Sequence, residues 1–286
     1  MSAPTFGDRV QGAIAAHGHL CVGIDPHPHL LEAWGLPVSA DGVRRFGERV
    51  VDAAAGRAGI VKPQVSFFER FGSAGFAALE AVLSAARERG LITIADAKRG
   101  DIGTTMDAYA AAWLLPGSPL EADALTVSPY LGAGALEGTL ALAAAHGKGV
   151  FVLAATSNPE GAAVQGAAVS GRDGVRDTVA GRIVREVTAF NAAHTPAGSW
   201  AGAGFVVGAT VDRRAAGLPD TIDPVAPILA PGFGHQGARP EDLEEIFGPL
   251  SPAVLASESR SILSAGPKAL EAAIEATRAR TGGARG

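Results

Sequence analysis

The 286-residue sequence has almost no cysteine and no long hydrophobic run. Its single cysteine, Cys21, cannot form an internal disulfide, so nothing indicates an oxidising compartment. No apolar stretch reaches the roughly 20 residues that a membrane-spanning helix needs, and the N-terminus has no basic-then-apolar signal pattern. We therefore expect a cytoplasmic protein that does not associate with a membrane.

Runs of positive charge are also missing. The chain contains 24 Lys and Arg against 29 Asp and Glu, which gives a formal net charge of -5. A mildly acidic chain without a basic run is poorly suited to the phosphate backbone of nucleic acids, so we expect no nucleic-acid partner. An anionic ligand would have to be held by a local group of residues.

Eight short, nearly continuous apolar runs alternate with longer segments of helical period. Continuous apolar runs are typical of parallel strands that are covered on both faces. Eight strand–helix units in about 250 residues match the usual size of a (β/α)8 barrel. We therefore predict an α/β fold, a single-domain (β/α)8 TIM barrel over residues 1–286. The predicted strands are 20–24, 59–65, 91–97, 124–128, 150–155, 204–209, 227–231 and 253–257.

A doubly wound open sheet is the alternative fold, but no G-x-G-x-x-G follows the first strand. No linker divides the chain. The segment 156–171, after the fifth predicted strand, is long and rich in Gly and Ala, which indicates a loop that closes over an active site. We expect the tail 280–286 to be frayed.

Charged residues interrupt or end the first three predicted strands: Asp25, Lys62, Asp96, Lys98 and, three positions later, Asp101. The carboxyl ends of barrel strands meet at one mouth, and on a regular strand Asp96 and Lys98 would face the same side. Buried lysines and carboxylates are costly unless they are paired. We predict a ring of alternating charge. The structural alternatives are that Asp101 caps the next helix, Lys98 is a surface lysine and Lys62 lies on an edge strand.

Features that suit a phosphate follow the last two predicted strands. Gly232, Gly234 and Gly237 would let backbone N–H groups approach an anion, and Arg260 follows the eighth strand. Barrels frequently bind phosphate at these two loops. His235 could touch the phosphate or be a solvated turn residue, and the sequence does not decide between the two.

His27 and His29 form an H-x-H pair after the first predicted strand, a placement that some metallohydrolase barrels use. Such sites need further histidines on later strands, but the fifth and sixth strands end in Ser157 and in Gly208–Ala209. We therefore expect no metal site.

The segment "DAKRGDIGTT", with its D-x-K-x-x-D spacing, resembles the signature of orotidine 5′-phosphate decarboxylases. That spacing alone is shared with related sugar-phosphate enzymes. Further segments resemble the motifs of the same family in the same order, and they resemble its longer, bacterial type 2 branch most. These segments are "VGIDPH", "VKPQVSFFE", "VSPYLG", "ATSNPEG", "LAPGFGHQG" and "SRSI".

The resemblance implies a cofactor-free and metal-free enzyme that converts orotidine 5′-monophosphate to UMP and CO2 in pyrimidine biosynthesis. It implies that Lys98 donates a proton to the pyrimidine carbon and that Asp96 faces the substrate carboxylate. Lys62 would pair with Asp96 and the ribose. Asp101 would reach the neighbouring site of a homodimer.

The other implied substrate-binding positions contact the three parts of the nucleotide. They are Asp25 and Thr105 at the ribose, with Thr105 supplied by the partner chain; Ser157 and Pro231 at the pyrimidine; Gln236 and Arg260 at the phosphate; and Ile102 beside Asp101.

The chemistry can also be argued from the residue types. Loss of CO2 from an sp² ring carbon leaves a localised anion that a fixed cation must stabilise. An ammonium can do this and then give up a proton, whereas a guanidinium effectively cannot. The alternatives are a metal-dependent hexulose-phosphate synthase, a Schiff-base aldolase that uses Lys62 or Lys98, and a non-catalytic phosphate-binding barrel.

Overall fold

A closed barrel of eight parallel strands forms the centre of the molecule. The computed structural model describes residues 4–170 and 176–282. The barrel closes where the first strand pairs in parallel with the last, with Leu20 opposite Ala256. This closure excludes the open-sheet alternative and confirms the predicted (β/α)8 barrel. In order around the barrel the strands are β1 (Leu20–Ile24), β2 (Ile60–Pro63), β3 (Ile92–Arg99), β4 (Ala124–Val127), β5 (Gly149–Ala155), β8 (Ala203–Val207), β9 (Ile228–Pro231) and β10 (Val254–Glu258).

Two further strands, which the sequence did not predict, follow β5. β6 (Ala168–Ser170) and β7 (Arg176–Thr178) pair antiparallel in a small ribbon. A short helix, Pro159–Gln165, precedes the ribbon. The expected loop 156–171 is therefore largely regular up to residue 170, and residue 171 lies outside the described part of the chain.

Helices cover the outside of the barrel. Leu79, Val82, Leu83 and Ala86 form the buried stripe of the helix that precedes β3, because these positions recur on one face at helical spacing. In the described ranges, no helix combines the length and the apolar character needed to cross a membrane. The helices are α1 (Phe6–His17), α2 (Pro28–Ala33), α3 (Ala40–Ala54), α4 (Ser66–Glu69), α5 (Gly72–Glu88), α6 (Gly103–Leu114), α7 (Glu137–Ala145), α8 (Pro159–Gln165), α9 (Val179–His194), α10 (Leu243–Phe247), α11 (Arg260–Leu263) and α12 (Leu270–Arg280).

Helix α1 lies before the first barrel strand and closes the amino-terminal end of the barrel. Thr5 and Asp8 form a reciprocal capping box at its start. The Phe6 ring packs edge-on against Phe151 inside the barrel, with ring centroids 5.9 Å apart. Apolar side chains therefore fill the centre of the barrel at this end.

The C-terminal end is ordered further than expected. Arg280 is the last residue of α12, and Thr281 is buried, with its hydroxyl donating a hydrogen bond to the Arg278 carbonyl at 2.9 Å. The remainder of the expected frayed tail, residues 283–286, lies outside the described residues.

Candidate active site

A cavity of about 310 Å³ opens at the carboxyl ends of the barrel strands. Residues from seven of the eight barrel strands, or from the loops that follow them, line it, including most of the residues predicted from the sequence. The predicted residues that line it are Asp25, Lys62, Asp96, Lys98, Ser157, Pro231, Gly232, His235 and Arg260. The charged strand ends and the predicted phosphate loops therefore share one cavity.

Asp96 lies between two lysines. Its Oδ2 accepts a hydrogen bond from Lys62 Nζ at 2.8 Å, and its Oδ1 accepts one from Lys98 Nζ at 2.5 Å. The side chains of Lys62 and Asp96 are only 8% and 9% exposed, whereas that of Lys98 is 46% exposed. Lys62 and Asp96 thus form a largely buried pair at the cavity wall, and Lys98 is the most accessible of the three.

Burial and charge act in opposite directions on the pKa values of this pair. Burial by itself would lower the pKa of Lys62, but the negative charges of Asp96 and Asp25 outweigh it and raise that pKa above its usual value. Burial would likewise raise the pKa of Asp96, but the charges of Lys62 and Lys98 hold it well below the usual range. Both groups are therefore charged at neutral pH.

The backbone at Lys98 departs from regular strand geometry. The pairing of β3 with β4 shifts register between Ala95 and Arg99, and Lys98 has φ +48°. Within the described ranges it is the only non-glycine residue with positive φ. β-Bulges re-aim side chains and are frequent beside active sites. The predicted meeting of Lys98 with Asp96 occurs, but through a bulge and not through regular alternation.

Asp25 enters the same cavity from the end of β1. Its Oδ1 is buried and has no hydrogen-bond partner among the described residues. A buried carboxylate oxygen is normally satisfied by a donor. A hydroxyl of a bound molecule could supply that donor, which agrees with the ribose contact expected for Asp25.

Arg260 lines the same cavity at the start of α11, the helix that follows β10. It is half-buried and forms no ion pair with any residue that the structure describes. Gly232 and Gly234 have φ of +116° and +68°, a backbone region that favours glycine, and Gly232 lines the cavity. The Gln236 side chain lies outside the described part of the structure. Arg260 is therefore available for an anion.

The structure does not bring Asp101, Ile102 and Thr105 into this cavity. They lie at the start of α6, where Ile102 and Thr105 are exposed and Asp101 is half-buried. Asp101 Oδ1 accepts a hydrogen bond from the Ile102 backbone N–H at 2.8 Å, and α6 has no side-chain cap. Within one chain the predicted ring of charges therefore has four members and not five.

His27 and His29 lie beside the cavity and do not line it. Their rings are 5.3 Å apart, and the His27 ring packs edge-on against Phe67 at 4.4 Å. The pKa of His27 is lowered, mainly by burial and also by the nearby His29 and Arg260. The charge of Asp25 acts in the opposite direction. Across the described residues, no group of three or more His, Cys, Asp or Glu side chains could hold a metal ion.

Sequence reasoning missed Thr126, which the structure places beneath the charged residues. Its hydroxyl donates to Asp96 Oδ1 at 3.0 Å and accepts from the Lys98 backbone N–H at 2.9 Å. One threonine in the apolar run "ALTV" is ordinary for a strand, so it carried no separate signal. Gln64 and Asn158 also line the cavity without having been predicted.

A closed parallel barrel with charged groups gathered at the carboxyl ends of its strands defines the class, a (β/α)8-barrel enzyme. The family model described as orotidine 5′-phosphate decarboxylase / HUMPS family matches residues 18–279. The chain therefore belongs to this family, as the resemblance of its motifs predicted.

Individual relatives agree with the family match. The chain is 51% identical over 263 residues to an orotidine 5′-phosphate decarboxylase of Salinispora arenicola, covering 92% of this chain and 91% of the relative. It is 47% identical to the enzyme of that name from Corynebacterium glutamicum, covering 93% of each chain. A crystal structure from Streptomyces avermitilis, provisionally described as the same enzyme, superimposes with a TM-score of 0.88 at 45% identity, covering 98% of this chain and 96% of that one.

Proposed function

We propose that this chain is an orotidine 5′-phosphate decarboxylase, a carboxy-lyase that converts orotidine 5′-monophosphate to UMP and CO2. The observation that carries the proposal is the Lys62–Asp96–Lys98 array, which lines the same cavity as Arg260. The family and the name of relatives at about half identity support the same activity.

In the proposed reaction Lys98 acts on the pyrimidine ring carbon that loses the carboxylate. Its ammonium is accessible from the cavity and held by Asp96 at 2.5 Å. A cation fixed there stabilises the carbanion left on the ring as CO2 departs. The same ammonium then donates a proton to that carbon, which gives UMP and leaves a neutral amine to be reprotonated from solvent.

Asp96 would act on the ground state of the bound substrate. Two like charges about 4 Å apart at an effective dielectric near 20 repel by about 4 kcal/mol. The substrate carboxylate placed near Asp96 would experience this repulsion, which disappears as CO2 leaves. The interaction of the phosphate with Arg260 would supply the binding energy that holds the substrate in place.

We further propose that α8 closes over the pyrimidine. α8 has no buried residue, and Thr156, Ser157 and Asn158 line the cavity immediately before it. A second cavity of about 300 Å³ separates α8 from the loop after β8, so the helix has room to move. Closure would exclude water from the reacting carbon.

The test of the function is an absorbance assay with orotidine 5′-monophosphate, run with and without EDTA. We expect turnover to UMP that the chelator leaves unchanged. A hexulose-phosphate synthase would instead act on a sugar phosphate and lose activity with EDTA. No loss of orotidine 5′-monophosphate at any enzyme concentration would refute the proposal.

A Schiff-base aldolase is disfavoured by the charge state of Lys62. Such an enzyme needs a neutral amine as its nucleophile. Asp96 and Asp25 raise the pKa of Lys62 and keep it as an ammonium. Borohydride should accordingly trap no covalent adduct between Lys62 and a keto substrate.

Replacing Arg260 by alanine is expected to weaken binding of UMP about 10- to 100-fold, because a hydrogen bond to a charged group contributes about 1.5–3 kcal/mol. The affinity can be measured by calorimetry. Arg239→Ala is the matched control, since Arg239 is exposed, does not line the cavity and pairs with Asp242, three residues along the chain. Equal affinities of the Arg260 variant and the parent would contradict a phosphate contact.

We propose that the enzyme is a homodimer in which Asp101 and Thr105 complete the partner's site. Both residues lie outside their own cavity, in a region where Ile102, Tyr130 and Leu131 are exposed, on the segments that follow adjacent strands β3 and β4. Large exposed apolar side chains of this kind are typical of a protein–protein interface.

Mixing two inactive variants tests this arrangement. Lys98→Ala and Asp101→Ala chains, refolded together, should regain about one quarter of the parental activity, because half of random dimers are mixed and each restores one site of two. If Asp101 acted in its own subunit, the mixture would stay inactive. Lys98→Ala mixed with Lys62→Ala is the negative control.

The expected cytoplasmic location remains a proposal. It is supported by the chemistry of the substrate and product, which are anionic nucleotides that do not cross an apolar bilayer unaided. Fractionation of cells with an antibody against the chain would test it.

A further inference from the structure

Thr126 is a fully buried residue of β4 that faces the bulged part of β3. It is fully buried and does not line the cavity, so we expect it to make no contact with a bound substrate. Its hydroxyl makes two hydrogen bonds, one as acceptor from the Lys98 backbone N–H and one as donor to Asp96 Oδ1. A hydroxyl has one proton to donate, and here that proton is directed at the catalytic carboxylate.

The first of these bonds replaces a missing main-chain bond. Because the register of β3 on β4 shifts between Ala95 and Arg99, the Lys98 N–H donates to a side chain and not to a strand carbonyl. Lys98 also has φ +48°, a sparsely populated conformation that persists only where its surroundings hold it. The Thr126 hydroxyl is one of the contacts that hold it.

The second bond acts on the other end of the same lysine. Asp96 Oδ1, which accepts from Thr126 at 3.0 Å, is also the atom that accepts from Lys98 Nζ at 2.5 Å. Thr126 therefore contacts the backbone of Lys98 and the carboxylate oxygen that holds the Lys98 ammonium. One hydroxyl links both ends of the proton donor to β4.

We infer that Thr126 is a positioning residue for the decarboxylation: it sets where the Lys98 ammonium stands relative to Asp96. This inference rests on the proposed function. A small displacement of a reacting group is enough to cost a large part of the rate. Valine has nearly the shape of threonine and would fit the site, but it would leave the Lys98 N–H without its partner and remove one donor from Asp96.

Steady-state kinetics of three variants test the inference. In Thr126→Val we expect kcat to fall about 10- to 100-fold, while the affinity for UMP stays within about twofold of the parent, since the residue touches no ligand. Thr126→Ser, which keeps the hydroxyl, should recover most of kcat. Thr139→Val is the matched control, because Thr139 is also fully buried but its hydroxyl has no hydrogen-bond partner among the described residues.

The outcomes separate the positioning role from a structural one and from the function itself. If Thr126→Val keeps parental kcat, or if Thr126→Ser loses as much as Thr126→Val, the inference is overturned while the decarboxylase activity stands. If the valine variant does not fold, Thr126→Ala replaces it in the comparison with Thr126→Ser. The inference then requires a high kcat in the serine variant, which keeps the hydroxyl, and a low kcat in the alanine variant. If the parent protein does not turn over orotidine 5′-monophosphate, the proposed function and this inference are both refuted.

Discussion

Replacing Lys98 by alanine is expected to abolish turnover of orotidine 5′-monophosphate and to leave the barrel folded. The expected loss in kcat is about 10⁴-fold or more, because the variant lacks both the fixed cation and the proton donor, each of which contributes at least about 10²-fold in enzymes generally. The fold should survive, since the Lys98 side chain is about half exposed and Asp96 keeps its bond to Lys62. Turnover of orotidine 5′-monophosphate and thermal unfolding of the same preparation measure both effects.

A second substitution at this position separates the two tasks of the ammonium. Lys98→Arg keeps a positive charge, but a guanidinium does not give up a proton at ordinary pH. We therefore expect Lys98→Arg to be nearly as inactive as Lys98→Ala. Lys268→Ala, which changes an exposed lysine outside the cavity, should retain parental activity. Undiminished turnover in Lys98→Ala would rule out the proposed role.

Asp96→Asn should reduce both stability and activity. Lys62 is 6% exposed, and the substitution leaves it buried without a carboxylate within hydrogen-bond distance. Breaking one partner of a buried ion pair typically costs about 3–5 kcal/mol, so denaturant unfolding at neutral pH should reveal a loss of that order. Activity should fall as well, because Asp96 also holds the Lys98 ammonium.

The double variant Lys62→Met/Asp96→Asn is the control for this explanation. It removes both charges, so it should be more stable than Asp96→Asn although it differs from the parent at two positions. If the stability loss of the double variant equals the sum of the losses of Asp96→Asn and of Lys62→Met, the ion pair is not the cause.

The same pair should limit stability at both ends of the pH range. The folded-state pKa of Asp96 lies below its usual value of about 3.9, so its contribution is complete above that pH and is lost as the pH falls below it. The folded-state pKa of Lys62 lies above its usual value of about 10.4, so its contribution is complete below that pH and is lost as the pH rises above it. The unfolding free energy of the double variant Lys62→Met/Asp96→Asn should therefore change less with pH than that of the parent, at both low and high pH.

The barrel could be predicted because its strands are covered on both faces. Such strands are continuous apolar runs, and each of the eight predicted runs overlaps one strand of the barrel. The ribbon β6–β7 could not be predicted in this way. Ala168 and Ser170 of β6 are exposed, so no apolar pattern marks them as a strand.

The charged residues could be predicted as a group from their types and positions, whereas the pairing of Lys62 with Asp96 was implied only by the family resemblance. Asp96 and Lys98 attracted attention because a carboxylate and a lysine follow a buried run, and the structure pairs them. The expected reason, regular alternation on a strand, was wrong, since a bulge and a positive φ at Lys98 bring the two together. The partner that accommodates this bulge is Thr126, which is 28 residues away in the chain.

The sequence by itself determined that eight apolar segments would be buried, because the apolar character that drives burial is carried by each segment. It likewise placed Asp25, Lys62, Asp96 and Arg260 within or just after those segments. The residue types alone did not determine that Lys62 reaches Asp96 across 34 residues or that Asp101 stays outside its own cavity; the resemblance implied both, and only the tertiary structure brings them about. Those outcomes depend on the register between neighbouring strands and on the closure of β1 against β10, which no single segment encodes.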